Sequence, residues 1–210
     1  MYCLQVLPCR TAKQLARFIK SIKRSGHLLD IGCGYGYFLD ASRREGYKVH
    51  GLDVSEWAAQ YAIEKLGLSM TIGKIGDVNL PPQNFDIITM WHSLEHTPNP
   101  HMALQRAKSW LKKDGILVID VPNYEGTDAR RTWHEWDDWS LPYHYWHFTS
   151  KSLRQLLSHH GFTVIKHKDY HSDVVKEKLK RIPIVSLFAR LIAKMYSGTS
   201  VAVIAKLINI

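Results

Sequence analysis

The sequence predicts an α/β fold: a doubly wound, mostly parallel sheet of seven strands with helices on both faces. Three observations predict it. Short apolar runs alternate with amphipathic helical patterns, which argues successive strand–helix–strand units. Several runs, FDIITMW (85–91) and GILVIDVP (115–122) above all, are apolar almost throughout, as strands covered on both sides are. A glycine-rich turn, GCGYG (32–36), joins the first run to the helix after it. With 210 residues, the chain suits one domain, 1–210. Within it the expected parts are an N-terminal helix (11–25), a sheet core (26–122), an aromatic segment (123–148) and a basic, apolar insert (174–196).

The elements follow in order. TAKQLARFIKSIKR (11–24) puts Ala12, Leu15, Phe18, Ile19 and Ile22 on one helical face, and Gly26 ends the helix. HLLDIG is the first strand, and YFLDASRREG a helix stopped by Gly46. KVHGLDV is the second strand. SEWAAQYAIEKLG is a helix that opens on Ser55 as N-cap and closes on Gly67. LSMTIGKIG is a weaker third strand and FDIITMW a clear fourth. NPHMALQRAKSWLKKDG predicts a helix running to Gly115, with Leu104, Ala107 and Leu111 inward. GILVIDVP is the fifth strand. TSKSLRQLLSHHG is a helix capped by Thr149 or Ser150, and FTVIKHKDY and SVAVIAKLI are the last two strands. The insert between these two is too short to span a membrane and reads as a packed or interfacial helix, with Pro183 near its start.

Charge is unevenly placed. Residues 1–26 carry six Lys/Arg and no acid, and residues 166–210 carry nine against three acids, while the stretch between is net negative. Basic flanks suit an anionic lipid surface, a nucleic acid or an acidic substrate, or serve as solvated helix faces. Cys3, Cys9 and Cys33 are few and odd in number, which suits a reducing cytoplasm, and the first two lack a second pair for zinc. MYCLQVLPCR has no basic region followed by an apolar run, so no secretory signal is read there.

LLDIGCGYGYF (28–38) is the most informative motif. Gly32, Gly34 and Gly36 let the backbone turn tightly and approach a ligand, and the helix behind them offers free N–H groups to an anion. The spacing is not that of a dinucleotide loop, because Tyr37 stands where a third glycine is needed. Asp30, at the strand end, would repel a pyrophosphate but pair with an ammonium group. A ligand with ammonium, carboxylate and ribose fits, and Asp53, ending the second strand, stands where a ribose diol would be held.

On these residues the chain resembles the class I S-adenosylmethionine-dependent methyltransferases, most of all the branch of ubiquinone-biosynthesis and small-molecule enzymes. LDIGCGYG, GLDVS, IGDV (75–78), FDIITMWHSLEHTPNP, LKKDGILVIDVPN and HYWHFTSKSLRQLLSHHGF match its blocks in order, over about residues 12–170. The second Gly of the family's turn before the fifth strand is Ile116 here. The resemblance implies a Rossmann-like sheet with an antiparallel C-terminal strand, and S-adenosylmethionine as cofactor, leaving S-adenosylhomocysteine. It implies that Asp30, Gly32, Cys33 and Gly34 line the methionine part, and that Asp53 binds the ribose with Val54 against adenine. Asp77 and Val78 would flank the adenine, and Trp91 and His92 would close over the sulfonium.

Methyl transfer is an in-line displacement, so alignment supplies much of the rate. A hydroxyl or amine acceptor also needs a base, for which His is suited at neutral pH. His92, His96, His144 and His147 are the candidates, with His144 preferred and His92 next. Glu95-His96 serves either to organise its loop or to move a proton. His134, His144 and His147 with Glu135, Asp137 and Asp138 match no common zinc spacing, so no metal is expected. Trp133, Trp136 and Trp139, spaced by three, would share a face if helical, either packed on the sheet edge or walling an acceptor pocket.

The reading is a cytoplasmic methyltransferase acting on a small-molecule or lipid-like acceptor at O or C, monomeric or homodimeric. Its insert 174–196 is a candidate for peripheral membrane contact. The alternatives are a non-catalytic cofactor-binding module and a nucleic-acid methyltransferase. The second lacks the N-P-P-[YF] signature of many such enzymes, since the fourth strand ends in TMWHSLEH.

Overall fold

A computed structural model of the chain describes residues 9–182, 186 and 188–208. Seven strands form one sheet: β1 (His27–Ile31), β2 (Lys48–Asp53), β3 (Met70–Ile72), β4 (Phe85–Trp91), β5 (Leu111–Pro122), β6 (Phe162–His171) and β7 (Ser197–Leu207). Their spatial order is β3-β2-β1-β4-β5-β7-β6. β1 to β5 pair in parallel, and β7 runs antiparallel between β5 and β6. The order reverses between β1 and β4. Connections leave these two strands in opposite directions, which opens a crevice beyond their C-terminal ends.

Side-chain alternation divides the core between the two faces. Leu28, Ile87 and Val118 point to one side, under α1 (Cys9–Lys20), α2 (Tyr37–Arg44) and α3 (Glu56–Leu66). Leu29, Ile88 and Leu117 point to the other, under α4 (Pro100–Trp110) and α6 (Ser150–His159). Local signals set the helix starts. Ser55 Oγ accepts from Ala58 N, Asn99 Oδ1 accepts from Met102 N, and Thr149 and Ser152 form a capping box. Each cap is worth about 1 kcal/mol.

Three expectations need correcting. α4 stops at Trp110 rather than Gly115, because Leu111 already pairs with Phe85 and enters the irregular start of β5. Among the described residues the insert holds two separate short helices, α7 (Asp173–Lys180) and α8 (Ala189–Ala193), in place of a single one, while Pro183 lies outside the described residues. The three Trp do not share a helical face. After α5 (Thr127–Thr132) come two 3-10 turns, 133–135 and 137–139, with Trp136 extended between them. Trp136 is therefore buried, Trp133 is exposed, and Trp139 packs edge-on against both. Among the described residues no helix is long and apolar enough to cross a membrane.

Candidate active site

The crevice has two halves. The first is built by the glycine loop and the end of β2. Gly32 N donates to Leu52 O at 2.7 Å, and Ser93 Oγ donates to Ile31 O at 2.7 Å, so the loop is tied to its neighbours on both sides. Gly32 has φ +75°, and a Cβ there would stand 2.5 Å from Ser93 Cβ. Gly34 has φ +53°, yet no atom lies within 4 Å of the place a Cβ would occupy. This side of the loop faces open space, as a loop shaped around a ligand would.

Asp53 ends β2 with both oxygens on backbone: Oδ2 accepts from Gly34 N at 2.6 Å and Oδ1 from Ser55 N at 2.8 Å. It is thus a capping carboxylate and a brace for the glycine loop at once. Val54 beside it is 54% exposed, an apolar surface with room for a flat ring. Gly73 N donates to Asp53 O at 2.9 Å, which brings the turn carrying exposed Asp77 and half-buried Val78 to the same edge. Asp30 is buried and accepts from Thr89 Oγ1 at 2.6 Å. Burial pushes its carboxyl up to about 8, against the Thr89 bond and with the help of Asp53. Cys33 packs its Sγ 3.9 Å from Met70 Sδ. Burial, with Asp30 and Asp53 nearby, raises the thiol, so it is a packing group.

The second half lies beyond β4 and β5. Trp91 departs from the expected lid: its ring is in the core, 5.5 Å from Phe38 and edge-on to it. His92 turns the chain at φ +47°, its N–H donating to Asp120 O at 2.8 Å. Burial alone would lower its imidazole, but Glu95, Asp120 and Asp138 outweigh burial and raise it to about 9. Glu95 is fully buried, 3.5 Å from His92 Nδ1, and neither of its carboxylate oxygens has a hydrogen-bond partner among the described residues.

The roof comes from the aromatic segment. Tyr145 N donates to Glu95 O at 2.9 Å, which pins the segment over the β4 loop. His144, buried, and His96 meet edge to face at 4.5 Å. His144 Nδ1 is 2.7 Å from Asp138 O, and His96 Nδ1 is 3.0 Å from Tyr143 O. A carbonyl only accepts, so each Nδ1 carries a hydrogen, and in a neutral ring Nε2 is the nitrogen with the lone pair. Burial lowers His144, which keeps it neutral at pH 7. His147 is held to the roof itself, its Nε2 3.1 Å from Trp139 O.

One donor atom each from Glu95, His96 and His144 fall within 4.8 Å of one another. This is not the set that sequence spacing offered for zinc. The members come from the β4 loop and the roof, which only the fold joins. Sequence reasoning also missed Asp120. It is a lone acid in an apolar strand, buried, bonded by the Ser200 and Tyr170 hydroxyls, and raised by its burial. The isolated Asp in ILVIDVP was the available signal.

A methyltransferase domain family model matches residues 5–167. Over 107 residues the chain is 35% identical to a ubiquinone biosynthesis O-methyltransferase of Haemophilus ducreyi, covering 46% of this chain and 45% of that one. The figure for its namesake from Glaesserella parasuis is 36% over 106 residues, with the same coverage. The chain spans just under half the length of the curated relatives it matches. The crystal structure of a SAM dependent methyltransferase from Archaeoglobus fulgidus superimposes with a TM-score of 0.71 at 23% identity. That match covers 95% of this chain and 94% of the other, and it bears on the fold alone. The chain belongs to the methyltransferase domain family. Its sheet is the Rossmann-like one of the S-adenosylmethionine-dependent methyltransferases.

Proposed function

We propose that this family member transfers the methyl group of S-adenosylmethionine to an oxygen of a small-molecule, lipid-like acceptor. The observation that carries the reading is the enclosed group of Glu95, His96 and His144 set across the crevice from the glycine loop, with a neutral imidazole nitrogen free to take a proton. The relatives named as ubiquinone biosynthesis O-methyltransferases support oxygen as the methylated atom.

The first half of the crevice fits the cofactor. The open side of Gly34 leaves room for its methionine chain, Asp30 offers a carboxylate for its ammonium, and Asp53 with Val54 offers an acid and an apolar face to ribose and adenine. Asp77 and Val78 close the adenine end. When bound, the cofactor supplies the electrophilic methyl group. His144 takes the acceptor's proton through Nε2, with Asp138 O fixing its tautomer. His92, held as a cation by its carboxylate neighbours, serves as a donor to the acceptor oxygen rather than as the base.

A second reading rests on Glu95. Its two oxygens are buried without hydrogen-bond partners, a costly state that a divalent cation shared with His96 and His144 would relieve. Such a cation would lower the pKa of an acceptor hydroxyl.

Membrane contact is a further part of the proposal. Leu191 of α8 and Met195 after it are exposed, as are Lys178, Lys180 and Lys194, and Arg131 of α5 lies over the Tyr196 ring at 5.9 Å. Exposed apolar and basic side chains of this kind suit contact with an anionic bilayer, from which a lipid-like acceptor would come. Formation of S-adenosylhomocysteine with a phenol bearing an apolar tail tests the activity. A protein that binds neither form of the cofactor by calorimetry sinks the reading. Flotation with anionic liposomes tests the surface, and failure to co-migrate removes it.

A further inference from the structure

Outside the crevice, three imidazoles meet where α4 and α6 approach each other. His101 sits in the first turn of α4, His159 ends α6, and His160 caps it. Their ring centroids form a near-equilateral triangle: 5.8 Å for His101–His159, 5.1 Å for His101–His160 and 5.3 Å for His159–His160. His101 Nδ1 and His160 Nε2 face each other at 3.0 Å. His160 is buried, while His101 and His159 are exposed.

The ring spacings approach those of ligands around one ion, while the nitrogens of all three do not converge within 4.8 Å until His159 turns. An imidazole nitrogen binds a transition metal at about 2.1 Å, which places each ring centroid about 3.2 Å from the ion. Three such rings at ligand angles of 90–120° have centroids about 4.5–5.5 Å apart, and two nitrogens at a right angle are about 3.0 Å apart. His101 and His160 already hold the second distance, and the triangle comes close to the first. His159, being exposed, turns about χ2 to bring a nitrogen in.

We propose that His101, His159 and His160 form a transition-metal site, separate from the active site, that takes a borderline divalent ion such as Ni²⁺, Cu²⁺ or Zn²⁺. Imidazole ligands suit these ions and not Mg²⁺ or Ca²⁺. The bound ion ties α4 to α6, two helices that pack on the same face of the sheet.

The test is calorimetric titration of the chelator-stripped full chain with Ni²⁺ alone, together with thermal unfolding. It uses wild type, His101→Gln, His159→Gln and the active-site variant Glu95→Gln. Both His positions are exposed, so these variants keep the fold, and circular dichroism checks it. The expected result is a saturable site of micromolar affinity that survives Glu95→Gln and weakens at least tenfold in each His variant. The rise in Tm with Ni²⁺ should disappear with it. Copper bound to wild type should show three equatorial nitrogens by electron paramagnetic resonance. Binding that survives both His variants, or that fails to saturate below millimolar Ni²⁺, overturns the proposal. Weakening in His101→Gln but not in His159→Gln overturns the three-imidazole site and leaves only a two-residue contact.

Discussion

On the proposed function, Asp30 should tie cofactor binding to proton release. In the free protein its carboxyl is buried and pushed up to about 8, so at pH 7 roughly nine molecules in ten hold it neutral. A carboxylate paired with the cofactor's ammonium is stabilised in the charged form. Binding at pH 7 should therefore release most of one proton, about 0.7–0.8 net of the ~0.1–0.2 that the ligand's own amine takes up. The sign follows: affinity rises with pH up to about 8 and then falls as the ligand's own α-amino group, with a pKa of about 7.7–8.0, loses its charge. Stability runs the other way. A carboxyl whose folded pKa is raised favours the folded state below its unfolded value, and that advantage is lost as pH climbs from about 4 to 8. Asp30→Asn keeps the shape and a partner for Thr89 but holds no charge. It should abolish proton release and weaken S-adenosylhomocysteine by about 10- to 100-fold, the loss of a charge-assisted hydrogen bond of about 1.5–3 kcal/mol. It should also flatten the fall in Tm between pH 5 and 8. Calorimetry in phosphate and in Tris, whose ionisation heats differ, reads the proton directly. Equal binding enthalpies in the two buffers for wild type, or an unchanged dissociation constant for Asp30→Asn, would refute the reasoning.

Other expectations follow from the same geometry. Gly34→Ala puts a methyl into the open side of the loop at φ +53°. It should cost about 1–2 kcal/mol in stability through backbone strain and well over tenfold in cofactor affinity, and a folded variant that binds normally counts against the open space being the ligand's. Asp53→Ala loses the braces to Gly34 N and Ser55 N, and isothermal titration should show weaker cofactor binding. His144→Gln should lower kcat by about 10²–10⁴ with little change in cofactor Kd, and a wild-type rate leaves His144 a structural residue. On the second reading, with a cation held by Glu95, His96 and His144, chelator treatment removes activity and Mn²⁺ restores it in wild type but not in Glu95→Gln. Activity that ignores chelation removes the cation and leaves His144 as base.

The sheet was legible because it is written in local patterns. FDIITMW and GILVIDVP are apolar on both faces since both faces are covered, and Ser55, Asn99 and Thr149 cap helices through their own side chains. Where a local pattern and the chain's next obligation conflicted, the local pattern lost. Leu111 fits the inward stripe of α4, but pairing with Phe85 takes it into β5. Trp133, Trp136 and Trp139 keep helical spacing, yet 3-10 turns send Trp136 inward and Trp133 out.

The glycine-loop half of the crevice was legible for a related reason: Asp30, Gly32, Gly34 and Asp53 each end a strand or form the turn after it, so position in sequence gives position in space. The half beyond β4 and β5 is different. Glu95 and His96 lie some fifty residues from His144, and what joins them is the backbone bond from Tyr145 N to Glu95 O. That bond leaves no trace in composition or spacing. Asp120 and His92 are alike in this respect, since their opposed charges matter only because β4 and β5 end side by side, Trp91 paired with Asp120. A carboxylate buried without its counter-charge would be expensive, and the fold collects Glu95, Asp120 and Asp138 around a single imidazolium. The gathering of these three acids on His92 belongs to the fold and to no local pattern, which is why this half of the crevice was not readable as the glycine-loop half was.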